Sequence, residues 1–431
     1  MFRDSIVPTA AAPRAAKTPS RVDRWARAAL HAALRRLPRG RLTLIEADRA
    51  EPFGAASQTE PHATVRILSP RTYRRIMGGG ALAAAESYVA GEWDCDDLTA
   101  LFRLLLRNED AFRKLDGGLA RLRAPGLWLW NLLRRNSRAG SRRNIAAHYD
   151  LGNEFYSLFL DPTLNYSAAF FAHPGDSLEQ AQVAKLDRIC RKLRLRPEHH
   201  LLEIGTGWGA LAIHAAKHYG CRVTTTTISE RQHEFATARV AQVGLSQQVT
   251  VLKQDYRDLR GRFDRLVSIE MIEAVGRDFL DGYLAQCGNL LRTDGLALIQ
   301  AITIADRHAA TYARNVDFIQ RYVFPGSFVP PLSGILAGLA QRTRLQVLDL
   351  EDLTTHYART LALWRSNFHA RLDEVRAIGF PESFVRLWHY YLCYCEAGFL
   401  ERSIGDVQLL IAGPEFRGVE PWRPGDGGGP L

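Results

Sequence analysis

Three glycines at alternate positions, between a short apolar run and a helical pattern, restrict the fold more than any other feature of the chain. The run HLLEI at 200–204 carries Glu203, and Gly205, Gly207 and Gly209 follow it before ALAIHAAKHYG continues with helical spacing. Glycine lets the backbone turn sharply and approach a ligand closely, and the next helix begins over that ligand. The segment therefore predicts a strand, a ligand-binding turn and a helix.

Further strands and helices alternate after this turn. Strand patterns lie at CRVTTTTIS, VTVLKQDY, FDRLVSIEM and LALIQAI, and the helix pattern RQHEFATARVAQVG separates the first two. Alternating strands and helices are typical of a doubly wound, mostly parallel sheet. We therefore expect an α/β fold in this part of the chain.

The spacing of acidic residues around the glycines argues against a dinucleotide site. Dinucleotide-binding folds place an acid about 20 residues after the glycines, where this chain has Thr225. An acid followed by Gly-x-Gly-x-Gly instead resembles class I S-adenosylmethionine (SAM) methyltransferases, whose glycines face the amino-acid and ribose parts of SAM. Asp255 stands where that superfamily contacts the adenine amine. A helix N-cap is an equally weighted interpretation of Asp255.

A wider set of segments resembles the cyclopropane-fatty-acid synthase family, which includes the mycolic acid methyltransferases. The HYDLGN and YS pieces of the first segment are the most diagnostic, and the matches cover nearly all of residues 144–412. The matching segments are HYDLGNEFYSLFLDPTLNYSAAFF (148–171), AQVAKLDRICRKL (181–193), LEIGTGWGALA (202–212), TISERQ (227–232), QDYRDL (254–259), FDRLVSIEMIEAVG (263–276), VDFIQRYVFPG (316–326) and HYYLCYCEAGF (389–399).

The resemblance implies a SAM-dependent C-methyltransferase of the cyclopropane-fatty-acyl-phospholipid synthase type. Such enzymes add a methylene group to the double bond of an unsaturated acyl chain in phospholipid. The implied fold is the Rossmann-like doubly wound sheet of class I SAM methyltransferases, with about seven strands. A helical cap is expected between roughly residues 275 and 400, together with a small N-terminal α/β domain.

The same resemblance implies which residues hold SAM. Tyr166 and Ser167 match the family's Tyr-Ser pair, and T-x-S-x-x-Q at 227–232 matches its ribose contacts. The expected cofactor-binding residues are Tyr166, Ser167, Glu203, Gly205, Gly207, Gly209, Thr227, Ser229, Gln232 and Asp255. No metal site is expected.

The chemistry of the family requires a base. The alkene attacks the SAM methyl group, a carbocation results, and a base must remove a proton while water is excluded. In the family this base is a bicarbonate held in a small cage of groups. Glu273 and Tyr357 match the cage glutamate and tyrosine, Ile302 lies where a backbone carbonyl contacts the ion, and Cys395 matches a cysteine assigned to the active site. Because no covalent thiol intermediate is required, lining the pocket is an alternative role for Cys395.

Two positions depart from the cage of the family. Thr206 replaces its cysteine and Gln300 its histidine, although a hydroxyl and an amide can also donate to an anion. Either bicarbonate binds with altered geometry, or another base removes the proton and the product is a methylene- or methyl-branched chain. Glu270, three residues before Glu273, is a candidate base, but a surface or SAM-edge carboxylate is the favoured interpretation.

Positive charge is concentrated near the start of the chain. The net charge is +10, and residues 1–50 and 101–150 each carry 11 Lys/Arg against 4 Asp/Glu. RVDRWARAALHAALRRL at 21–37 has the spacing of a basic amphipathic helix, and residues 119–143 combine tryptophan with arginine. These features would suit docking on an anionic membrane surface. For the positive charge near the start of the chain, the alternative is a solvated arginine-rich segment. For residues 119–143, the alternative is an interdomain helix.

Five segments are expected along the chain. They are a disordered arm at 1–20, a membrane-docking domain at 21–118, a basic Trp/Arg-rich linker helix at 119–143, the SAM-dependent catalytic domain at 144–415 and a flexible tail at 416–431. We expect a cytoplasmic protein at the inner face of the cell membrane, with unsaturated phospholipid as its substrate. A homodimer is left open.

Two other classes of function were weighed. A nucleic-acid methyltransferase could use the basic arm on phosphates, but the chain has neither a [DNS]PP[YFW] segment nor a Pro-Cys pair, so nucleic acid is not an expected partner. A non-catalytic lipid-binding relative would fit Thr206 and Gln300. Glu273, Tyr357 and the complete glycine turn argue against that alternative.

Overall fold

The computed structural model describes residues 19–111, 140 and 151–418. Most of the predicted arm, all of the predicted linker except Gly140 and the end of the predicted tail therefore lie outside the described residues. The chain forms two compact units. Their described parts are 19–111, 310–325 and 361–403 for the first unit, and 140, 151–309, 326–360 and 404–418 for the second. The predicted domain boundaries stay predictions.

The described elements are as follows. The strands are β1 Arg41–Glu46, β2 Arg49–Gly54, β3 His62–Ile67, β4 Trp93–Cys95, β5 His200–Ile204, β6 Arg222–Thr227, β7 Val249–Lys253, β8 Phe263–Ile269, β9 Leu291–Ile304, β10 Gln346–Asp352 and β11 Ile404–Ala412. The helices are α1 Arg21–Leu34, α2 Arg71–Val89, α3 Leu98–Arg107, α4 Asn153–Ser157, α5 Leu178–Lys192, α6 Ala210–Tyr219, α7 Glu230–Gln242, α8 Leu280–Leu290, α9 Asp306–Tyr312, α10 Leu332–Arg342, α11 Thr354–Ala370, α12 Leu372–Ala377 and α13 Glu382–Leu400.

The first unit contains a four-stranded sheet in the order β2-β1-β3-β4. Strand β1 pairs antiparallel with β2 and parallel with β3. Helix α1 begins at a capping box, in which the Ser20 hydroxyl accepts from the Asp23 N–H and the Asp23 carboxylate accepts from the Ser20 N–H. The structure thus confirms a small α/β arrangement in the N-terminal part of the chain.

The second unit is built on a seven-stranded sheet in the order β10-β11-β9-β8-β5-β6-β7. Neighbouring strands from β9 to β7 run parallel, whereas β11 is antiparallel to both β9 and β10. The sheet confirms the predicted α/β fold and its strand number. It also brings the glycine turn after β5 and the end of β8 next to each other.

Successive side chains of a strand point to opposite faces of the sheet, and both faces of this sheet are buried. Leu202 packs with Tyr283 of α8 and Ile335 of α10, and Leu201 packs with Ile189 of α5 on the other face. Helices therefore cover both faces of the mostly parallel strands, as in a doubly wound fold. Among the described residues, no helix combines the length and apolar character needed to cross a bilayer.

Candidate active site

The glycine turn follows β5 in a conformation that glycine adopts without strain. Gly205, Gly207 and Gly209 have φ angles of 106°, 53° and 84°, in the region that side chains with a Cβ disfavour. A Cβ added at Gly207 would meet no atom within 4 Å. Since Gly209 also caps the start of α6, the turn combines an open face with a helix N-terminus.

The predicted ribose contacts form a local network after β6. The Thr227 hydroxyl donates to Gln232 Oε1 at 2.9 Å, and the Ser229 hydroxyl caps α7 by accepting from the Gln232 N–H. Gln232 Nε2 is buried and has no hydrogen-bond acceptor among the described residues. Buried amide donors are normally satisfied, so a ligand hydroxyl at this position fits the residues present.

Tyr166 and Ser167 lie beside a buried lysine that the sequence analysis did not single out. Lys185 Nζ donates to Ser167 Oγ at 2.9 Å and to Asn165 Oδ1 at 3.3 Å. The side chain of Lys185 is fully buried, and this burial lowers its pKa to about 8. The sequence signal that could have identified Lys185 is its position in the matching segment 181–193, most of which lies on α5.

Thr206 and Glu203 are joined through Thr225. The Thr225 hydroxyl donates to Glu203 Oε2 at 2.6 Å, and the Thr206 and Thr225 hydroxyl oxygens are 2.7 Å apart. Burial raises the pKa of Glu203 to about 8. The structure therefore places the Thr206 hydroxyl in a chain with Glu203, and it gives that hydroxyl no hydrogen bond to Glu273 or Tyr357.

Asp255 caps the short turn Tyr256–Asp258. Its carboxylate accepts from the Arg257 N–H at 3.0 Å and pairs with the Arg257 guanidinium at 2.6 and 2.8 Å. The N-cap geometry that the sequence offered as one interpretation is therefore present. An adenine contact by Asp255 stays a prediction.

Glu270 follows β8 and is held by three hydrogen-bond donors. Its Oε1 accepts from the Ala168 N–H and from Gln300 Nε2, both at 2.8 Å, and its Oε2 accepts from the Tyr357 hydroxyl at 2.8 Å. The backbone φ of Glu270 is 47°, which is costly for a residue with a Cβ and is often found at functional sites. Glu270 is thus an internally bonded carboxylate and not a surface group. Its position at the edge of SAM, the other part of the favoured interpretation, stays a prediction.

Two further carboxyl groups lie near Glu270. Glu273 Oε1 accepts from the Ile302 N–H, while Oε2 has no hydrogen-bond partner among the described residues. Burial, followed by the charge of Glu270, raises the pKa of Glu273 to about 8. Asp406 on β11 accepts from Gln300 Nε2 at 3.0 Å, and burial raises its pKa well above the usual range.

Hydrogen bonding distinguishes Glu270 from the other two carboxyl groups. Burial raises the pKa of Glu270, but its three donors stabilise the ionised form and oppose that rise. Glu273 and Asp406 have fewer donors, so negative charge is best accommodated on Glu270. The sequence analysis missed Asp406. The signal that could have found it is an acid and an amide two positions apart, Asp406 and Gln408, in a strand whose other side chains are apolar.

The groups expected to hold bicarbonate are only partly brought together. Tyr357 and Gln300 both donate to Glu270, and Glu273 bonds to the Ile302 N–H. Cys395 lies on α13 in the first unit, where burial raises the pKa of its thiol well above the usual range. A thiol with a raised pKa stays protonated and is a poor nucleophile, and a role for Cys395 stays a prediction.

Comparisons with known proteins identify relatives for most of the chain. The family model described as mycolic acid cyclopropane synthetase matches residues 136–409. Tuberculostearic acid methyltransferase UfaA1 of Mycobacterium tuberculosis is 39% identical over 79% of this chain and 81% of its own length. Cyclopropane-fatty-acyl-phospholipid synthase of Escherichia coli is 36% identical over 85% of this chain and 91% of its own length.

Solved structures agree with these relatives. Mycolic acid cyclopropane synthase CmaA1, crystallised with SAH and CTAB, superposes with a TM-score of 0.59. It is 31% identical in sequence, and the superposition covers 63% of this chain and 97% of CmaA1. The fold is therefore that of the class I SAM-dependent methyltransferases.

Proposed function

The chain belongs to the mycolic acid cyclopropane synthetase family, and we propose that it is a SAM-dependent C-methyltransferase acting on the double bond of an unsaturated acyl chain in phospholipid. The observation that supports this most is the position of Glu270. Its carboxylate lies at the end of β8, and β8 is hydrogen-bonded to β5, which leads into the glycine turn. A base and a cofactor turn therefore share one edge of the sheet.

SAM, when bound, supplies an electrophilic methyl group. The open backbone of the glycine turn leaves room for the cofactor, and Gln232 Nε2 offers an unused donor to a ribose hydroxyl. Lys185 fixes the hydroxyl of Ser167 next to the predicted Tyr-Ser contact. These groups bind and orient SAM, and the base that removes the proton is a separate group.

Glu270 is the group that we propose accepts the proton. After methyl transfer the acyl chain carries a positive charge, and loss of a proton from the new methyl group to Glu270 neutralises it. If the electrons of the broken C–H bond close onto the cationic carbon, a cyclopropane forms. Burial raises the pKa of Glu270, which suits a base that works near neutral pH.

A methylene-branched product is the second candidate. It would form if a hydride first moved from the methyl-bearing carbon and the methyl group then lost its proton to leave a double bond. Tyr357 and Gln300 were both expected to hold bicarbonate, and both donate to Glu270 instead. A base other than bicarbonate is the condition under which a branched product was predicted. Bicarbonate as the base stays a prediction, and the hydrogen bonds favour Glu270 instead.

The product can be read directly from labelled lipid. Purified protein would be incubated with methyl-labelled SAM and vesicles of mono-unsaturated anionic phospholipid, and the released acyl chains studied by mass spectrometry and proton NMR. A gain of CH₂ with upfield ring protons would establish the cyclopropane. The same gain with vinylidene protons would establish the branched product, and absence of label from the lipid would contradict both.

Helix α1 supports the proposed docking on an anionic membrane. Val22 and Trp25 are 58% and 59% exposed and stand beside Arg21 and Arg24, whereas the one acid in this stretch, Asp23, is buried in the helix cap. An exposed indole flanked by arginines suits a lipid headgroup layer. We propose that this end of α1 contacts anionic lipid.

Vesicle binding tests the membrane proposal. Trp25→Ala should weaken partitioning onto anionic vesicles by about tenfold, since it removes a large apolar side chain from the contact. Val243→Ala, which truncates a side chain that is 47% exposed in the second unit, is the matched control. Equal binding of the Trp25 and Val243 variants, or equal binding to uncharged vesicles, would contradict the proposal.

A further inference from the structure

The amide of Gln300 is held at three points. Its Nε2 donates to Glu270 Oε1 at 2.8 Å and to Asp406 Oδ2 at 3.0 Å, and its Oε1 accepts from Gln408 Nε2 at 3.0 Å. Strand register explains the arrangement, because Gln300 on β9 stands opposite Gln408 on β11, and Ile302 stands opposite Asp406. Cross-strand partners and residues two apart share a face of the sheet.

Asp406 differs from Glu270 in how its carboxyl group is satisfied. Its Oδ1 has no hydrogen-bond partner among the described residues, and its side chain is fully buried. An ionised carboxylate with an unsatisfied buried oxygen is strongly disfavoured. Asp406 is therefore suited to be a neutral acid that accepts one N–H of Gln300.

We propose that Asp406 is a positioning residue that holds the Gln300 amide so that its second N–H donates to Glu270. This inference rests on the proposed function, in which Glu270 removes the proton. With the amide fixed, one hydrogen bond is always directed at the ionised base. Asp406 itself touches neither substrate nor cofactor in this role.

The charged and titratable groups that face Asp406 set the expected pH behaviour. They are Glu270 after β8, Glu273 in the following turn and Lys185 on α5. Its neutral neighbours are Gln300, Gln408 and the Thr354 hydroxyl, which accepts from the Asp406 N–H at 3.2 Å. Burial and the two glutamates favour the neutral form of Asp406, and Lys185 opposes it.

The direction in which the kcat/KM profile shifts with pH distinguishes a positioning role of Asp406 from an effect of its charge. Activity should rise with pH as Glu270 ionises, and the Gln300 N–H stabilises that ionised form. If Asp406 only positions the amide, its loss weakens this hydrogen bond and moves the acidic limb of the kcat/KM profile to higher pH. If Asp406 carried a negative charge, its loss would move the limb to lower pH.

The test is a double-mutant cycle on Asp406→Leu and Gln300→Leu in the full chain. Vesicles of mono-unsaturated phospholipid and methyl-labelled SAM report kcat and the pH profile. Each single variant should lose kcat by about tenfold to a hundredfold, since a small displacement of a catalytic group is costly. The double variant should lose no more than Gln300→Leu alone, because Asp406 acts through Gln300.

Asp406→Asn guards against a fold defect. It keeps the size of the side chain and an oxygen that can accept from Gln300, so it should recover most of the kcat lost in Asp406→Leu. SAM affinity and the melting temperature of every variant report on folding. Additive losses in the cycle, a limb that moves to lower pH or does not move, or an Asp406→Asn variant as impaired as Asp406→Leu would each overturn the inference. Absence of labelled lipid with the wild-type protein would instead overturn the proposed function.

Discussion

The Tyr357 hydroxyl donates to Glu270 Oε2 at 2.8 Å, across 87 positions of sequence. This contact links the first turns of α11 to the end of β8, and it satisfies a carboxylate oxygen with a group that was expected to hold an external anion. Glu270 therefore accepts hydrogen bonds from Tyr357 and Gln300, two of the groups predicted to hold bicarbonate. Glu270 is the carboxylate that we propose takes the role of the bicarbonate implied by the resemblance.

Replacing Glu270 tests this directly. Glu270→Gln keeps the size of the side chain but cannot accept a proton, so methyl incorporation should fall by about 10²–10⁴-fold, the usual contribution of a general base. SAM affinity should change little, and Glu198→Gln, which alters a carboxylate that is 64% exposed, is the control. If Glu270→Gln keeps its activity, or regains it fully on addition of bicarbonate, an external anion is the base.

Tyr357→Phe should change the pH profile as well as the rate. The Tyr357 hydroxyl stabilises ionised Glu270 and so lowers the pKa of Glu270. Without it the pKa of Glu270 is higher, and a larger share of the base is protonated at acidic pH. The loss of kcat/KM should therefore be greater at pH 6 than at pH 9, as measured by label in the acyl chain. An equal loss at both pH values would indicate that Tyr357 serves another purpose.

Glu273→Gln should stabilise the protein at neutral pH. The pKa of Glu273 is raised from 4.5 to about 8 by burial, so the unfolded chain ionises at a pH where the folded chain does not. Stability is then lost as pH rises from about 4.5 to about 8. Glutamine removes this loss, and the free energy of unfolding should rise by on the order of 2 kcal/mol more at pH 7.5 than at pH 5. Urea unfolding at the two pH values measures the difference, and equal effects would contradict the raised pKa.

Gln232→Ala should weaken cofactor binding. Gln232 Nε2 is a buried donor without an acceptor in the described residues, so a bound ribose hydroxyl would satisfy it. Its loss should raise the Kd for SAM by about fivefold, since one buried hydrogen bond contributes about 1 kcal/mol. Gln242→Ala, at the exposed end of α7, is the matched control. Equal Kd values for the two variants by equilibrium dialysis would exclude this contact.

Local patterns predicted the part of the site that lies on one stretch of chain. The glycines after β5 and the 227–232 network follow from strand, turn and capping residues close in sequence. Glu270 could not be assigned in the same way, because its partners Gln300 and Tyr357 are 30 and 87 residues away. The left-handed backbone conformation of Glu270 could not be predicted either, because glycine is the residue that usually indicates such a conformation.

Asp406 and Trp25 show two further limits. The run around Asp406 is mostly apolar and resembles a buried strand. Only the pairing of β11 with β9 brings Asp406 next to Gln300, which is 106 positions away in the sequence. The segment predicted as an amphipathic helix includes both Trp25 and Leu34, yet Leu34 is buried and Trp25 is exposed. At about 3.6 residues per turn, the nine positions between them correspond to about two and a half turns, so the two side chains lie on opposite sides of α1. Only tertiary packing shows which side of the helix is covered.

The antiparallel strand β11 has a consequence for how the site is made. It is the last described strand in sequence, but it inserts between β9 and β10. During synthesis, β5 to β9 leave the ribosome well before β11, so Glu270 and Gln300 exist for a time without Asp406 and Gln408. Contacts between distant parts of a chain form late because they close long loops. The proposed proton-accepting centre is therefore complete only when β11 has paired with β9 and β10. A nascent or truncated chain that ends before 404 would have the glycine turn and Glu270 but would lack the contacts of Asp406 and Gln408 with Gln300.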